Sequence, residues 1–269
     1  MAARPEHPAV PGHEGLAGGA DSAGTPWAGR TFQAHDTAYA GDDGSADPAL
    51  VRALARFRAR EVSEAAVVDA LRGARLLIPL MAHAGDEGVN EHGVRVDKTQ
   101  ELAIVTVAGP DGRSVLPAFS SVDTLRAWNP GARPVPAETR RIAIAAASEA
   151  TELLVLDPGS DTEFGVRRPA LWALAQALPW TPAYADDEVA EAFLRPAADD
   201  PAVSTVTVAA ASPDARLGGP EVVVELGLRP GLDRAALSAL LARLQEAWAG
   251  DEVVATRVDS MAVRVVAAS

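Results

Sequence analysis

The chain has 269 residues and no cysteine. That absence excludes disulfide frameworks, Cys-ligated zinc and thiol nucleophiles. Aromatic residues reach only 4%. The longest apolar stretches, near 76–82 and 142–147, fall far short of the ~20 residues a membrane helix needs. Positive charge is also scarce: 24 basic against 37 acidic side chains leave a formal charge of −13. Such a balance argues against coating nucleic acid or an anionic membrane. No apolar run follows Arg4, so no secretory signal is expected and the reading is cytoplasmic. GxSxG, Walker A and GxGxxG motifs are absent, and no cofactor is expected.

Lysine is nearly missing too. Every basic residue except Lys98 is arginine. A GC-biased genome produces that skew unaided; the sharper reading is that Lys98 stands where arginine would not serve, since the two differ in hydration and donor geometry.

Residues 1–47 read as a disordered tail followed by an aromatic strap. The tail is rich in Ala, Gly and Pro without any period. In the strap, Trp27, Phe32 and Tyr39 are spaced too irregularly for a helix or strand, which suits docking on a folded body. Asp47-Pro48 then predicts a helix start, with Leu50, Val51, Leu54 and Phe57 on one face. Ser63 caps a second helix that stops at Gly73. Arg75–Ala82 reads as a buried strand and 83–99 as a long polar loop. Strands over 101–107 and 114–119 are expected to pair as a hairpin across Gly109-Pro110-Asp111-Gly112. Ser120 or Ser121 caps a short helix ending at Trp128. A helix over 138–150, a strand at Leu153–Leu156 and a helix over 169–178 complete a domain spanning 48–180.

Residues 181–201 carry Asp186, Asp187, Glu188, Glu191, Asp199 and Asp200 against Arg195. They read mainly as a solvated acidic linker, with room for a short helix at 187–194. Beyond it, 202–269 shows strands at 203–209 and 221–228. A helix over 233–248 follows, striped by Leu237, Leu240, Leu241, Leu244 and Trp248. Strands at 252–258 and 261–266 then form a hairpin over Asp259-Ser260. The expectation is an α+β protein: a mixed or antiparallel sheet domain with flanking helices, then a smaller ββαββ domain.

Few residues suggest chemistry. His83, Asp86, Glu87, Glu91 and His92 are metal-ligand types in one loop, but their spacing fits no helical HExxH pattern and favours a solvated loop. Asp42, Asp43 and Asp47 fail the calcium-loop test, lacking Gly at the sixth and Glu at the twelfth position. No metal site and no catalytic set is expected. Lys98, before a strand, and Asp157, just after one, are the candidate ligand-binding pair; the plainer readings are a surface lysine and a turn starter. Arg52, Arg56 and Arg60 line one helix face, where they could meet an acidic partner or the chain's own acidic linker. Trp27, Phe32 and Tyr39 are the other candidate docking residues.

Four segments carry a family resemblance: VSEAAVVDALRGARLLIPLMA, DKTQELAIVTVAGPDGRSVLPAFSSVDTLRAW, TRRIAIAAASEATELLVLDP and RRPALWALA. Their order resembles the N-terminal domain of the SseB family, named for enhanced serine sensitivity. The strap WAGRTF…AGDDGSADPAL is similar to that of actinobacterial members, and the 202–269 block, more loosely, to their C-terminal domain. These motifs are of a packing kind and imply little about activity. The functional expectation is a non-enzymatic interaction or regulatory protein with an unidentified protein partner, no nucleic acid and no membrane. The alternative is a small-molecule sensor or an enzyme with a polar site near Lys98 and Asp157.

Overall fold

In the computed structural model, Asp47 accepts hydrogen bonds from the Ala49 and Leu50 amides and so starts α1, Pro48–Arg58. Residues 39, 41–82, 87–89, 95–97, 102–148 and 151–268 are described, by backbone alone at 82, 87–89, 95–97 and 102–104. The candidates Trp27, Phe32 and Lys98 and the loop residues His83, Asp86, Glu91 and His92 lie outside them. Leu50, Leu54 and Phe57 of α1 are buried as the spacing predicts, while Val51 faces solvent. α2, Glu64–Gly73, buries Val67, Val68 and Leu71.

β1, Arg75–Ala82, is the central strand of a three-stranded sheet. It pairs antiparallel with β4, Leu102–Ile104, on one side and β7, Arg133–Glu138, on the other. The sequence hides β7 because Pro134 and Pro136 break strand propensity; an edge strand tolerates them because half its amides face outward. Within the stretch expected to be a loop, β2, Glu87–Val89, and β3, Arg95–Asp97, pair antiparallel. The hairpin expected over 101–119 is shorter than the pattern suggests. Only β5, Val107–Ala108, pairs with β6, Ser114–Ala118, while β4 joins the other sheet.

β6 runs parallel to β8, Leu153–Leu156, which pairs with β9, Phe164–Val166. A two-way bridge between Leu77 and Phe119 stitches this four-stranded sheet to β1. The helices are α3, Val122–Trp128, capped by Ser121; α4, Thr139–Ser148; and α5, Arg168–Gln176. Both faces of β1 are buried. Leu76 and Ile78 join the main core with α1, α2, α4 and α5, and Leu77 packs with Phe119, Leu125 and Ala132. Phe57 meets Phe164 edge-on at 5.4 Å.

The segment read as an acidic linker is not solvated throughout. α6, Asp187–Leu194, lies between 3-10 turns at Ala183–Ala185 and Arg195–Ala197. Ala183, Val189, Ala192, Phe193 and Ala197 belong to a second core. The charges mask this because they occupy the outer face, while Val189, Ala192 and Phe193 fall at i, i+3 and i+4. Phe193 packs edge-on against Trp248 at 5.3 Å, and the Trp248 indole donates to the Phe193 carbonyl at 3.0 Å.

β10, Val203–Ala210, pairs antiparallel with β11, Val222–Leu228. α7, Arg234–Ala249, follows and buries Leu240, Leu244 and Trp248. The strand expected at 252–258 is a helix, α8, Glu252–Arg257, so the order is ββααβ, not ββαββ. Asp251 accepts from the Val253 and Val254 amides, and this cap overrides the strand preference of the two valines. β12, Met261–Ala267, consequently pairs parallel to β11 and not as a hairpin. Parallel pairing needs a crossover, which α7 and α8 provide.

The α+β class stands. Residues 42–269 form one compact unit holding both cores. The 211–220 loop, from the second block, inserts Ala215 into the first core. Gly165 of β9 donates to the Ala215 carbonyl at 2.7 Å, and a Cβ there would stand 2.6 Å from Leu217. Only glycine lets the loop backbone approach so closely.

Candidate functional site

Asp157 has no exposed surface. Its backbone is left-handed, φ 47°, a conformation that Asp tolerates better than most residues. One carboxylate oxygen accepts from the Ser120 amide at 2.8 Å; the other accepts from the Ser120 hydroxyl at 2.7 Å and the Thr162 hydroxyl at 2.9 Å. The side chain thus ties the β6–α3 joint to the β8–β9 turn. A ligand would reach it only by displacing these donors.

The arginines mostly serve the chain itself. Arg52 is exposed, and Arg56 pairs with Glu61 at 3.2 Å on the surface, a contact worth little. Arg60 donates to the Pro213 carbonyl and lies 2.5 Å from Asp214. Its hydrogen bond holds Asp214 below the ordinary carboxylate range. Arg58 donates to the Asp214 carbonyl at 2.8 Å and to that of Glu163. The acid these arginines meet is therefore in the 211–220 loop and not in the 181–201 segment. Tyr39 is half-buried.

The densest polar chemistry lies where the two cores meet. Arg167, at the β9–α5 joint, is only 8% exposed. It is extended, and Pro169 starts the helix behind it, so its side chain is free to cross to the second block. It donates to Asp259 at 3.1 Å, to the Ser260 hydroxyl at 3.2 Å, and to the carbonyls of Arg216 at 3.2 Å and Gly219 at 2.8 Å. Arg113, just before β6, grips the same Asp259 with both arms at 2.8 and 3.0 Å. Burial pushes the Asp259 carboxyl up, but the hydrogen bonds and charge of Arg113, with Ser260 and Arg167, outweigh it and hold it below the ordinary range.

Two further carboxyls face this junction. Glu221, just before β11, accepts from the Asp259 amide at 2.6 Å. Burial pushes it up to about 7, partly offset by that bond and by Arg167. Glu64, the first residue of α2, is raised to about 7 by burial, against the charge of Arg167 and a hydrogen bond with Tyr184. Tyr184 is pushed up to about 12 by burial and by the Glu64 charge. Among the described residues, neither Glu64 nor Glu221 forms a salt bridge. The sequence offered no signal for this cluster. Residues 64, 113, 167, 184, 221 and 259 share no motif or spacing, and Asp259-Ser260 reads only as a turn.

A third feature is apolar. Trp172 is 36% exposed, Ile144 46% and Leu178 52%. On one side of Trp172 a groove of ≈ 380 Å³ runs past Pro169, Trp180 and Arg257. On the other, a shallower one of ≈ 470 Å³ runs along Ile144, Ala147 and Ala175. The Arg168 guanidinium lies 5.2 Å from the Trp172 ring centre and donates to the Ala255 and Val258 carbonyls. This cation–π contact helps hold the ring, which lines both grooves. The amphipathic pattern of RRPALWALA could have revealed the position: Ala170, Leu171 and Leu174 are buried, and Trp172 is the large apolar residue left outside.

Residues 50–173 match the family model described as SseB protein N-terminal domain, which supports membership of the SseB family. The match spans nearly all of the first core and ends before the second. No curated protein and no solved structure matches the chain. No helix among the described residues is long and apolar enough to cross a membrane.

Proposed function

We propose that this chain is an SseB-family protein that works in the cytoplasm as a non-enzymatic interaction or regulatory protein, presenting the Trp172 ridge to a protein partner. The observation that carries this reading is the exposed apolar set Ile144, Trp172 and Leu178, flanked by grooves on both sides. Exposed apolar patches with an aromatic anchor are the usual core of protein interfaces. The buried polar side chains support it from the other direction: Asp157, Asp259 and Arg167 spend their hydrogen bonds on the chain's own backbone and loops. The net charge of −13 opposes a nucleic acid or anionic membrane as the partner.

Site-specific photo-crosslinking in cells tests the reading. A photoreactive residue at Ile144 should trap discrete protein adducts, and Trp172→Ala should abolish them. The same probe at Arg52, on a different exposed helix face, should not. Identical adducts from both positions, or adducts that survive Trp172→Ala, would sink it.

A further inference from the structure

The second block leaves one sheet edge open. Among the described residues, β12 pairs only with β11, in the order β10-β11-β12. The Ser260 carbonyl accepts from the Val222 amide at 3.2 Å, and the Ala268 amide donates to the Leu228 carbonyl at 2.9 Å. The even-numbered residues therefore face β11. Alternation turns the amides and carbonyls of Met261, Val263, Val265 and Ala267 to the open side. Met261, Ala262 and Val263 are half-buried, whereas residues 264–267 are exposed.

Exposed edges are normally guarded against pairing with another chain. Of the described edge strands, only β7, β10 and β12 exceed three residues. β7 carries Pro134 and Pro136. β10 breaks register between Val203 and Thr205 and runs beside α6. β12 has neither proline nor register break, and its single charge, Arg264, is paired with Glu225 of β11.

We propose that the β12 edge is a self-association surface: two copies of this chain pair their β12 strands antiparallel about a twofold axis at Val265, joining their sheets into one. The strand's own chemistry selects this occupant and this register. The axis at Val265 sets Val265 against the copy's Val265 and Val263 against its Ala267. Each such pair exchanges both N–H···O bonds through groups that already point outward. These side chains lie on the helix side of the sheet, where Met261 and Val263 pack on the second core. On the open face, Arg264 lies opposite the copy's Val266, so like charges do not meet directly. An axis at Arg264 would set guanidinium against guanidinium, and one at Val266 would carry Val263 past the end of the copy's strand. The copy thus covers Val265 and Val266, exposed by 42% and 38%. The charge of −13 on each copy opposes approach at long range, so the dimer is concentration-dependent.

Sedimentation velocity of the full chain from about 1 to about 200 μM tests the proposal, and the mass should rise from one copy to two. Val265→Pro deletes an outward amide without touching a bond to β11 and should weaken self-association by at least about tenfold. Trp172→Ala should leave it unchanged. A wild-type chain that stays monomeric, as it would if another part of the same chain covered the edge, overturns the proposal. So does a dimer that survives Val265→Pro or is lost in Trp172→Ala. If Val265→Pro does not fold, register decides, because the chain has no cysteine of its own. Residues 264 and 266 of opposite copies form a non-hydrogen-bonded pair about 4.5 Å apart between Cα atoms, within disulfide reach. Mixed Arg264→Cys and Val266→Cys variants should therefore cross-link to each other under mild oxidation. Absence of the mixed product, or equal cross-linking of either variant alone, overturns the proposal.

Discussion

Arg167→Met keeps the aliphatic stem of the side chain and deletes its charged head. The head's contacts define what is lost: the Asp259 pair at 3.1 Å, the Ser260 hydroxyl, and the carbonyls of Arg216 and Gly219. Breaking a buried ion pair typically costs about 3–5 kcal/mol. Here Arg113 remains as a second cation on Asp259, which places the expectation near the lower figure, while the carbonyls left without donors add to it. An overall loss of about 3 kcal/mol follows. With a urea m-value of about 2–3 kcal/mol/M, the unfolding midpoint should drop by about 1–1.5 M. The cost should be larger above pH 7 than at pH 5, because Arg167 then also faces ionised Glu64 and Glu221. Arg167→Lys should recover part of the loss, keeping the charge but not the fork that reaches the 216–220 carbonyls. The assay is equilibrium urea denaturation followed by tryptophan fluorescence and far-UV circular dichroism. A midpoint shift below about 0.3 M in Arg167→Met, or Lys and Met variants of equal stability, would refute the view that this residue joins the cores.

Glu64 and Glu221 take up protons on folding between their ordinary value of 4.5 and about 7. The stability they contribute is therefore full below that window and lost as pH rises through about 7; one such carboxyl accounts for about 3 kcal/mol, and urea midpoints across this range check it. Asp259, held low by its arginines, titrates below the window and leaves that trend intact. Gly165→Ala would place a Cβ 2.6 Å from Leu217 and 2.9 Å from the Ala215 carbonyl, lowering stability by about 1–3 kcal/mol by thermal or chemical unfolding. Asp157→Ala strips the acceptor from the Ser120 amide and from two hydroxyls at a left-handed position and should cost about 3 kcal/mol in the same assay. Trp172→Ala should change stability by no more than about 1 kcal/mol, so a lost crosslink in that variant reports binding and not unfolding.

Local signals were reliable where a single side chain decides the local backbone. Asp47 ahead of Pro48 starts α1 and Ser121 caps α3, because a cap acts on amides two or three residues away. The apolar run Arg75–Ala82 was legible because β1 is buried on both faces. Local preference was misleading at Val253 and Val254, where an Asp cap and a crossover demanded a helix. It also misled at 181–201, where the charges on the outer face of α6 conceal Val189 and Phe193 beneath.

From the sequence alone came the α+β class, the helix starts, the central strand, the stripe on α7 and the resemblance over the first core. Each rests on residues within one or two turns of one another, where backbone geometry and periodicity constrain the chain directly. The placement of charge was decided only by tertiary structure. Arg113, Arg167 and Asp259 become one ion cluster because β6, the β9–α5 joint and the α8–β12 turn converge, 146 residues apart at the widest. Asp157 passes from candidate ligand to enclosed strut for the same reason, since Ser120 reaches it across the parallel pair β6–β8. Pairing across such separations is set by the packing of whole elements, and no property of the separate segments encodes which charges will meet.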